Sequence, residues 1–388
     1  MPSDQWARTI RPDIRERNLL YAGTEQGIWI SFDSGATWQS FNNDMPAVSV
    51  RDIRLQPAYD DLVVATHGRA TYIMDDVRPV QELSQALGRG TWLFTPHVGY
   101  QWTQHSNDEG TYTNYAADNP PYGVMITFYQ RDPQKSAPAL AILDSHGRVV
   151  RSVSGTHKVG GKDEPYIPNK AGLNRYTWDF TVNGPVKWSG AGPAFLQGPD
   201  TGPQVVPGDY SVRMTLSGHT YVEHFRVEPD PRSEFTRAQL QRSFDEAMRQ
   251  MGHLSTLDSI LNNLDDLKKS IDTALDTAKK QNNSALVSKL QDAQTARKTL
   301  MDSLATTVRG EGTEDETRVR EDVLGATFQA QPLITPMVAS FITRVDGEYR
   351  AAIARYNAFA TGTMPGISTA LQQAGVKTVP SFKPVPSP

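Results

Sequence analysis

The chain of 388 residues contains no cysteine, which excludes disulfides, thiolate nucleophiles and cysteine-based zinc sites. Long apolar runs are absent too, because no stretch approaches the roughly 18 consecutive apolar residues that a membrane helix needs. The first residues, MPSDQWARTI, hold no apolar run of the signal-peptide kind. We therefore expect no membrane insertion and no signal peptide at this N-terminus.

An excess of positive charge is also missing. The chain has 39 Lys and Arg against 43 Asp and Glu, so its formal net charge is -4, and nothing suggests a surface for nucleic acid. Most of the prolines and glycines lie before position 233, where they separate short strand-like runs. Helical periodicity takes over after that point, so the composition predicts a β-rich part followed by a helical part.

The most specific local pattern is SFDSGATW at residues 31 to 38, which fits S-x-D-x-G-x-x-W, the Asp-box pattern, at every defined position. Such a segment predicts a hairpin turn in which an aspartate accepts backbone N–H groups, a glycine takes positive φ and a tryptophan packs beneath the strand. We assign this structural role to Ser31, Asp33, Gly35 and Trp38. A role for Asp33 as an acid or nucleophile is the less favoured alternative.

Strand-like runs surround the box and then repeat. Three short runs lie between residues 19 and 41, and three more between residues 50 and 75 follow in the same order and spacing. The similarity of YAGTEQGIWIS to VATHGRATYIM indicates a weak internal repeat with a period of about forty residues.

The stretch YAGTEQGIWISFDSGATW, followed by DLVVATHGRATYIMDD, resembles the last blades of the bacterial neuraminidase repeat (BNR) proteins related to sortilin, which are often labelled glycosyl hydrolases. The resemblance implies that residues 1–80 are the last blades of an Asp-box β-propeller and that the protein is periplasmic or secreted. A propeller closes with roughly four to eight blades. We therefore expect the missing blades to come from the same protein, upstream of Met1, or from another chain.

The sequence pattern of residues 90–230 predicts an immunoglobulin- or fibronectin-like β-sandwich. The resemblance implies the same, because such a module follows the propeller in that family. Several β-rich runs alternate as strands with one buried face do, and Trp178 is expected in the core. Aromatic residues in the predicted loops could form a platform for a carbohydrate, although packing is the favoured alternative. The candidates are Trp92, Trp102, Tyr112, Tyr115 and Trp188.

Residues 233–376 predict an antiparallel helical bundle. Thr236 and Gln239 form a predicted capping box, and apolar residues then recur at three- and four-residue spacing until Gln281-Asn282-Asn283 breaks the helix. The charge-rich stretch GEGTEDETRVRED predicts a surface loop with room for one short helix, and a third long helix is predicted over about 337–360. Residues 377–388 form a proline-rich tail that should be extended or disordered.

Motifs for catalysis, metals and cofactors are not found. The eight histidines show no H-x-H or H-E-x-x-H spacing, and there is no G-x-S-x-G, Walker or dinucleotide motif. We therefore predict no catalytic residue, no metal site and no cofactor. His67 and Arg69 are the best candidates for binding, because they lie near a strand end where a blade can face the central channel; a turn or packing role is the alternative.

These patterns favour a non-catalytic binding or scaffold protein that recognises a protein, a peptide or a glycan. The alternative is a sialidase-like glycoside hydrolase whose active site lies mostly in N-terminal blades outside this chain. A third interpretation is assembly into an oligomer through the helical bundle.

Overall fold

A computed structural model describes residues 5–103, 119–159, 162–191, 199–305, 319–376 and 380–386. The chain divides into two compact units: Met1–Phe180 with Pro207–Ser233, and Thr181–Val206 with Glu234–Pro388. The first unit consists mainly of β-sheets, and the second contains the long helices. The coarse prediction of a β-rich part followed by a helical part is confirmed, whereas the finer domain boundaries stay a prediction. Among the described residues, no helix is both long and apolar enough to cross a membrane.

The first unit begins with two small antiparallel sheets. The first sheet has four strands in chain order: β1 (Ala7–Pro12), β2 (Leu20–Thr24), β3 (Gly27–Ser31) and β4 (Gln39–Ser40). The second has three: β5 (Val50–Gln56), β6 (Asp61–Thr66) and β7 (Thr71–Met74). Apolar residues that alternate along these strands share one core, in which Tyr21, Val50 and Ile53 are fully buried.

Two short helices lead from these sheets to the next pair: α1 (Arg78–Gln81) and α2 (Leu83–Arg89). A three-stranded sheet then has the order β15-β10-β8, and a five-stranded sheet has the order β12-β11-β18-β19-β9. Their strands are β8 (Thr91–Leu93), β9 (Gly99–Gln101), β10 (Val124–Gln130), β11 (Ala139–Asp144), β12 (Val149–Val153), β15 (Gly172–Trp178), β18 (Gly208–Leu216) and β19 (His219–Pro229). A separate hairpin is formed by β13 (Thr156–Val159) and β14 (Lys162–Pro165).

Aromatic rings fill the space between these two sheets. Trp178, from β15, is fully buried, and its ring lies 5.8 Å from that of Tyr210 and 5.9 Å from that of Phe225, both on the five-stranded sheet. Edge and tilted contacts of this kind stabilise aromatic cores. The predicted burial of Trp178 is confirmed.

The second unit is mainly helical. Its elements are β16 (Thr181–Asn183), β17 (Thr201–Gln204), α3 (Arg237–Lys280), α4 (Ser284–Asp302), α5 (Val319–Gln329), α6 (Pro336–Ala358), a π-helical turn (Phe359–Thr363) and α7 (Met364–Gln373). Strands β16 and β17 pair with each other. Apolar side chains from all five α-helices form one core.

The ends of the long helix follow the predicted signals. Thr236 accepts the N–H of Gln239, and the side chain of Gln239 accepts the N–H of Thr236 in return, so the capping box is confirmed. The break after Lys280 is confirmed too, because Asn282 has a φ of 53°, which no helix continues through. Residues 380–386 form neither helix nor strand, and Val385 exchanges two hydrogen bonds with the side chain of Asn357.

Candidate functional site

A cleft of about 690 Å³ opens in the first unit. It is lined by the turn before β6, the end of β7, the segment around β9, the start of β10 and Arg232. Strand β9 reaches this place because it pairs in parallel with the end of β19, so that Tyr100 lies beside Glu228. The cleft therefore gathers residues that are distant in the sequence.

Two Asp-Asp pairs define one side of the cleft. Asp60 and Asp61 precede and begin β6, and Asp75 and Asp76 follow β7. In each pair one member, Asp60 or Asp76, is buried and has a φ of 53°. Aspartate tolerates this left-handed conformation better than most residues. Each pair is thus a fixed backbone feature that turns its other member, Asp61 or Asp75, toward solvent.

The buried members of the two pairs have basic partners. Both oxygens of Asp60 accept hydrogen bonds from Arg15, each of 2.9 Å, and Arg78 Nε lies 3.6 Å from the same carboxylate. Arg78 also donates to Asp76 at 3.0 Å and to the carbonyl of Pro96 at 3.2 Å. Charge-assisted hydrogen bonds of this geometry offset the cost of burying the carboxylates.

Asp61 and Asp75 lack such partners. Within the described residues, neither carboxylate has an ion pair with a basic side chain, and Asp61 accepts only the main-chain N–H of Asp76, at 3.2 Å. The register ends at Leu62–Met74, so the next cross-strand neighbours are Asp61 and Asp75 themselves.

Burial raises the pKa of both exposed members. For Asp61, partial burial is the main cause, and the nearby charge of Asp75 adds to it against the N–H of Asp76. For Asp75, partial burial again raises the pKa, and the more distant charge of Arg175 offsets part of the effect. A positive ligand group between the two carboxylates would favour their charged forms and so oppose both shifts.

Aromatic rings form the facing side of the cleft. The rings of Tyr100 and Trp102 stack with centroids 5.1 Å apart, and Tyr59 meets Tyr100 edge-on at 5.6 Å. The position of Tyr59 is fixed locally, because Gln56 Oε1 accepts the N–H groups of Ala58 and Tyr59 at 2.7 and 2.8 Å. All three rings are partly exposed.

Arg232 is the one cation among the described lining residues, and it is already paired. It donates two hydrogen bonds to the buried carboxylate of Asp230, of 2.9 and 2.6 Å, and its guanidinium lies 5.8 Å from the Trp102 ring. Asp230 also accepts the N–H of Thr103 at 2.9 Å, and these bonds hold the pKa of Asp230 well below its usual range. Arg232 therefore supports the wall that carries Trp102.

A glycine shapes the opposite rim. Gly123 has a φ of 140°, and a Cβ built at this position would lie 2.2 Å from the carbonyl oxygen of Trp178. Only glycine allows the backbone to pass this close to β15 and enter β10. The rim of the cleft is therefore set by backbone packing rather than by a side chain.

The predicted Asp-box residues form a compact turn away from the cleft. Asp33 accepts the N–H of Thr37 at 2.8 Å and the hydroxyls of Ser31 and Thr37, which lowers its pKa to about 2. Gly35 has a φ of 94°, and its carbonyl accepts the indole N–H of Trp38 at 2.9 Å. Both carboxylate oxygens of Asp33 thus accept hydrogen bonds within the turn.

The predicted binding residues lie in different places. Trp102 lines the cleft. His67 and Arg69 are exposed at the β6–β7 turn, at the other end of the hairpin from Asp61. Six residues of strand separate them from the cleft by about 20 Å. Trp92 is half-buried, and its indole donates to Glu82 at 3.1 Å. Tyr112 and Tyr115 lie outside the described residues.

The expected exposure of Trp188 is wrong. Its side chain is only 6% exposed and belongs to the second unit. Its indole donates to Asp265 at 2.7 Å and its main-chain N–H to Asp258 at 3.1 Å, both on α3. Trp188 is held against α3, whose aspartates satisfy both of these donors, so the ring is not available to a ligand.

Sequence reasoning missed most of the cleft, namely Tyr59, Asp61, Asp75, His97, Tyr100 and Arg232. One signal was present: Asp-Asp occurs at both open ends of the β6–β7 hairpin. Because neighbouring strand ends lie side by side, the two Asp-Asp pairs come close together. Like charges at close range indicate either basic partners or a ligand.

A metal ion does not fit the described residues. No group of three or more His, Cys, Asp or Glu side chains within them is arranged to hold one. Calcium needs six to eight oxygen ligands and zinc about four ligands in total, most of them from the protein in structural sites. Two neighbouring carboxylates with aromatic rings suit an organic ligand better.

Comparisons with known proteins assign no family. No family model and no curated protein matches the chain. A solved structure described as pT26-6p aligns with 92% of this chain and 66% of its own, just under two thirds, at 11% identity and a TM-score of 0.14. A likeness this low carries no argument about fold or function.

Proposed function

We propose that this chain is the non-catalytic binding part of a larger extracytoplasmic β-propeller protein, and that the cleft of the first unit recognises a glycan. One observation supports the glycan most directly: the rings of Tyr100 and Trp102 stand in one cleft with the carboxylates of Asp61 and Asp75. Sugars present an apolar C–H face and a rim of hydroxyls. Aromatic rings match the face, and carboxylates accept hydrogen bonds from the rim.

The propeller part of the proposal is supported by the two N-terminal sheets. Both are antiparallel meanders whose strands follow chain order, as the blades of a propeller do. Two blades do not close a ring, so the others would come from elsewhere in the same protein or from another chain. In this proposal the two later sheets are an accessory β-sandwich and the helices an accessory bundle, with the bundle available for oligomer formation.

A glycan is favoured over a folded protein partner by the form of the site. The rings and carboxylates lie in a concave cleft, as in sites for small ligands and sugar units. Protein interfaces are flatter and rely on larger buried areas. Secretion or export to the periplasm, implied by the family resemblance, would also expose the cleft to surface glycans.

The alternative is a glycoside hydrolase. The two carboxyl groups of Asp61 and Asp75 in one cleft favour it, because glycosidases use a pair of carboxyl groups. A sialidase-like specificity is not favoured in this cleft, since Arg232 is already bound to Asp230 and would not be free for the carboxylate of a sialic acid. Such an active site would have to lie mostly in blades outside this chain.

Binding to a panel of oligosaccharides tests the proposal. Calorimetry on the full 388-residue chain should detect at least one saccharide, and Trp102→Ala should weaken its binding by about tenfold, the loss of one stacking contact worth roughly 1.4 kcal/mol. Trp6→Ala is the matched control, because Trp6 is 78% exposed and lies outside the cleft. No binding by the wild type, or equal weakening by both variants, would reject the cleft as a glycan site.

Turnover separates the two candidate functions. The same saccharides are incubated with the wild type, Asp61→Asn and Asp75→Asn, and products are followed by chromatography. Binding without products supports the non-catalytic proposal. Products that disappear in either variant, while the saccharide still binds, would establish the hydrolase instead.

A further inference from the structure

The cleft carries two carboxylates that no described basic side chain contacts as an ion pair, although His97 lies near Asp61 and the charge of Arg175 acts on Asp75. Of the four aspartates in the two Asp-Asp pairs, Asp60 and Asp76 have arginine partners, whereas Asp61 and Asp75 have none within the described residues. Arg232, the described cation of the lining, is committed to Asp230. The cleft therefore presents two negative charges beside its aromatic rings.

This arrangement has an energetic cost in the free protein. Like charges at neighbouring strand ends, here next to the last pair Leu62–Met74, destabilise a sheet, and partial burial strengthens the effect. A basic side chain next to Asp61 or Asp75 would reduce this repulsion, as Arg15 and Arg78 do for the two buried aspartates. The unrelieved pair is thus a prepared site for a positive group brought by the ligand.

From this geometry we infer that the ligand of the cleft is an amine-bearing saccharide, whose ammonium group binds between Asp61 and Asp75 while its sugar rings stack on Tyr100 and Trp102. The inference rests on the proposed glycan recognition and names its ligand class. An ammonium offers three donors, which suits two acceptor-only carboxylates. A metal ion is disfavoured, since the described residues supply no third protein ligand near them.

The aromatic side of the cleft favours a saccharide over a lysine side chain. The mutually packed rings of Tyr59, Tyr100 and Trp102 form a continuous apolar surface next to the acidic pair. A lysine side chain would need only a carboxylate and one ring, as in cation–π sites. A hexose ring beside the ammonium covers a broader face, and an oligomer extends this contact along the cleft.

Matched oligomers test the inference. Glucosamine tetramer, N-acetylglucosamine tetramer and cellotetraose differ at the 2-position, and only the first carries an ammonium there at mildly acidic pH. We expect the full chain to bind the glucosamine oligomer about tenfold more tightly than the other two, the size of one partly screened charge interaction. This preference should fall as salt rises.

Two variants locate the effect. Asp61→Asn and Asp75→Asn should each bring glucosamine-oligomer affinity down toward that of the acetylated oligomer and weaken cellotetraose binding much less, because a neutral hydroxyl loses a hydrogen bond and no charge interaction. Asp200→Asn is the matched control, because Asp200 is an exposed aspartate of the second unit. The asparagine variants keep the shape of the side chain, so circular dichroism should report an unchanged fold.

The outcomes separate this inference from the proposed function. Equal binding of all three oligomers, weakened by Trp102→Ala, would overturn the amine preference and leave glycan recognition standing. Failure of every saccharide would remove both. Binding of a lysine-containing peptide in the absence of saccharide binding would overturn the inference and identify a peptide site.

Discussion

Asp61 and Asp75 in the first unit and Asp258 in the second have opposite surroundings. In the first unit, Asp61 and Asp75 face a cleft without basic partners. In the second, Asp258 on α3 is 1% exposed and pairs with Arg320 on α5, which is fully buried. The same side chain thus occurs once with its charge unbalanced at a surface and once with its charge balanced in a core.

In the second unit, the carboxylate of Asp258 has three hydrogen-bond donors. Arg320 donates to Asp258 through Nε and through Nη2, the latter at 2.9 Å, and the N–H of Trp188 supplies a third donor to that carboxylate at 3.1 Å. The guanidinium also lies 5.7 Å from the Trp188 ring. A buried ion pair of this kind ties three segments together, although a well-packed apolar set could be as stable.

The comparison separates charges that stabilise the fold from charges that are available for binding. A buried charge must be balanced within the fold, because leaving it alone costs several kcal/mol. A partly exposed charge can be left for a ligand, because water screens most of its cost. Balanced aspartates therefore report on folding, and unbalanced ones report on binding.

Removing the buried cation should give the largest effect. Arg320→Ala leaves Asp258 uncompensated, so we expect the free energy of unfolding of the helical unit to fall by about 3–5 kcal/mol, measured by urea unfolding and circular dichroism. Lys298→Ala is the control, because its pair with Asp302 is exposed and is worth less than about 0.5 kcal/mol. Equal losses in both variants would mean that burial does not distinguish the pairs.

A buried histidine of the second unit should make the stability of that unit depend on pH. His253 stacks on Tyr349 at 3.8 Å, and burial, with the adjacent Arg249, lowers its pKa to about 4 against the raising effect of Asp346 and Glu246. The unfolded chain therefore binds the proton first. Stability should be complete above about pH 6.5 and decrease by up to roughly 3 kcal/mol as the pH falls to about 4.

Urea unfolding across this pH range measures that effect. His253→Phe keeps a ring against Tyr349 and has no proton to bind, so its stability should change less over the same interval. If the wild type and this variant lose stability in parallel, another group causes the pH dependence.

Within the first unit, the two members of one Asp-Asp pair should differ. Asp60→Asn removes a buried charge that accepts two hydrogen bonds from Arg15, and we expect it to lower the free energy of unfolding by about 2 kcal/mol. Unfolding followed by tryptophan fluorescence reports this loss. An unchanged stability would show that Arg15 and Arg78 do not need this charge.

The smallest effect on the free energy of unfolding is expected for Asp61→Asn, and here stability should rise. Because folding raises the pKa of Asp61, its negative charge opposes folding above that pKa, and Asp61→Asn should raise stability at neutral pH by roughly 0.5 kcal/mol or less. The same unfolding assay applies. A clear loss of stability in Asp61→Asn would assign this aspartate to the fold and weaken its role in binding.

Prediction from sequence succeeded where the cause is local. The capping box at Thr236 and the helix break at Asn282 depend on residues within four positions of each other. The same holds for the hydrogen bonds that the Asp33 carboxylate accepts, which come from Ser31 and Thr37. Short-range geometry of this kind depends only on side chains that are close together in the sequence.

Prediction failed where the partner is distant. The charge-rich stretch GEGTEDETRVRED predicted a surface loop with room for one short helix, and α5 begins within it at Val319, yet Arg320 is fully buried, because Asp258 lies opposite it. Trp188 was expected in an exposed loop, yet α3 supplies acceptors for its donors. A charge pattern cannot show which charges will meet a partner in the core.

The sequence by itself determined the order of β-rich and helical parts, the ends of the long helix and the residues of the turn at Asp33, since each follows from periodicity or from neighbours in the chain. Tertiary structure alone decided which aspartates are balanced: Asp60 meets Arg15 across 45 residues and Asp258 meets Arg320 across 62. It also brought Tyr59, Trp102 and Arg232 into one cleft. Coulomb interaction depends on distance in space, and only the folded chain sets that distance.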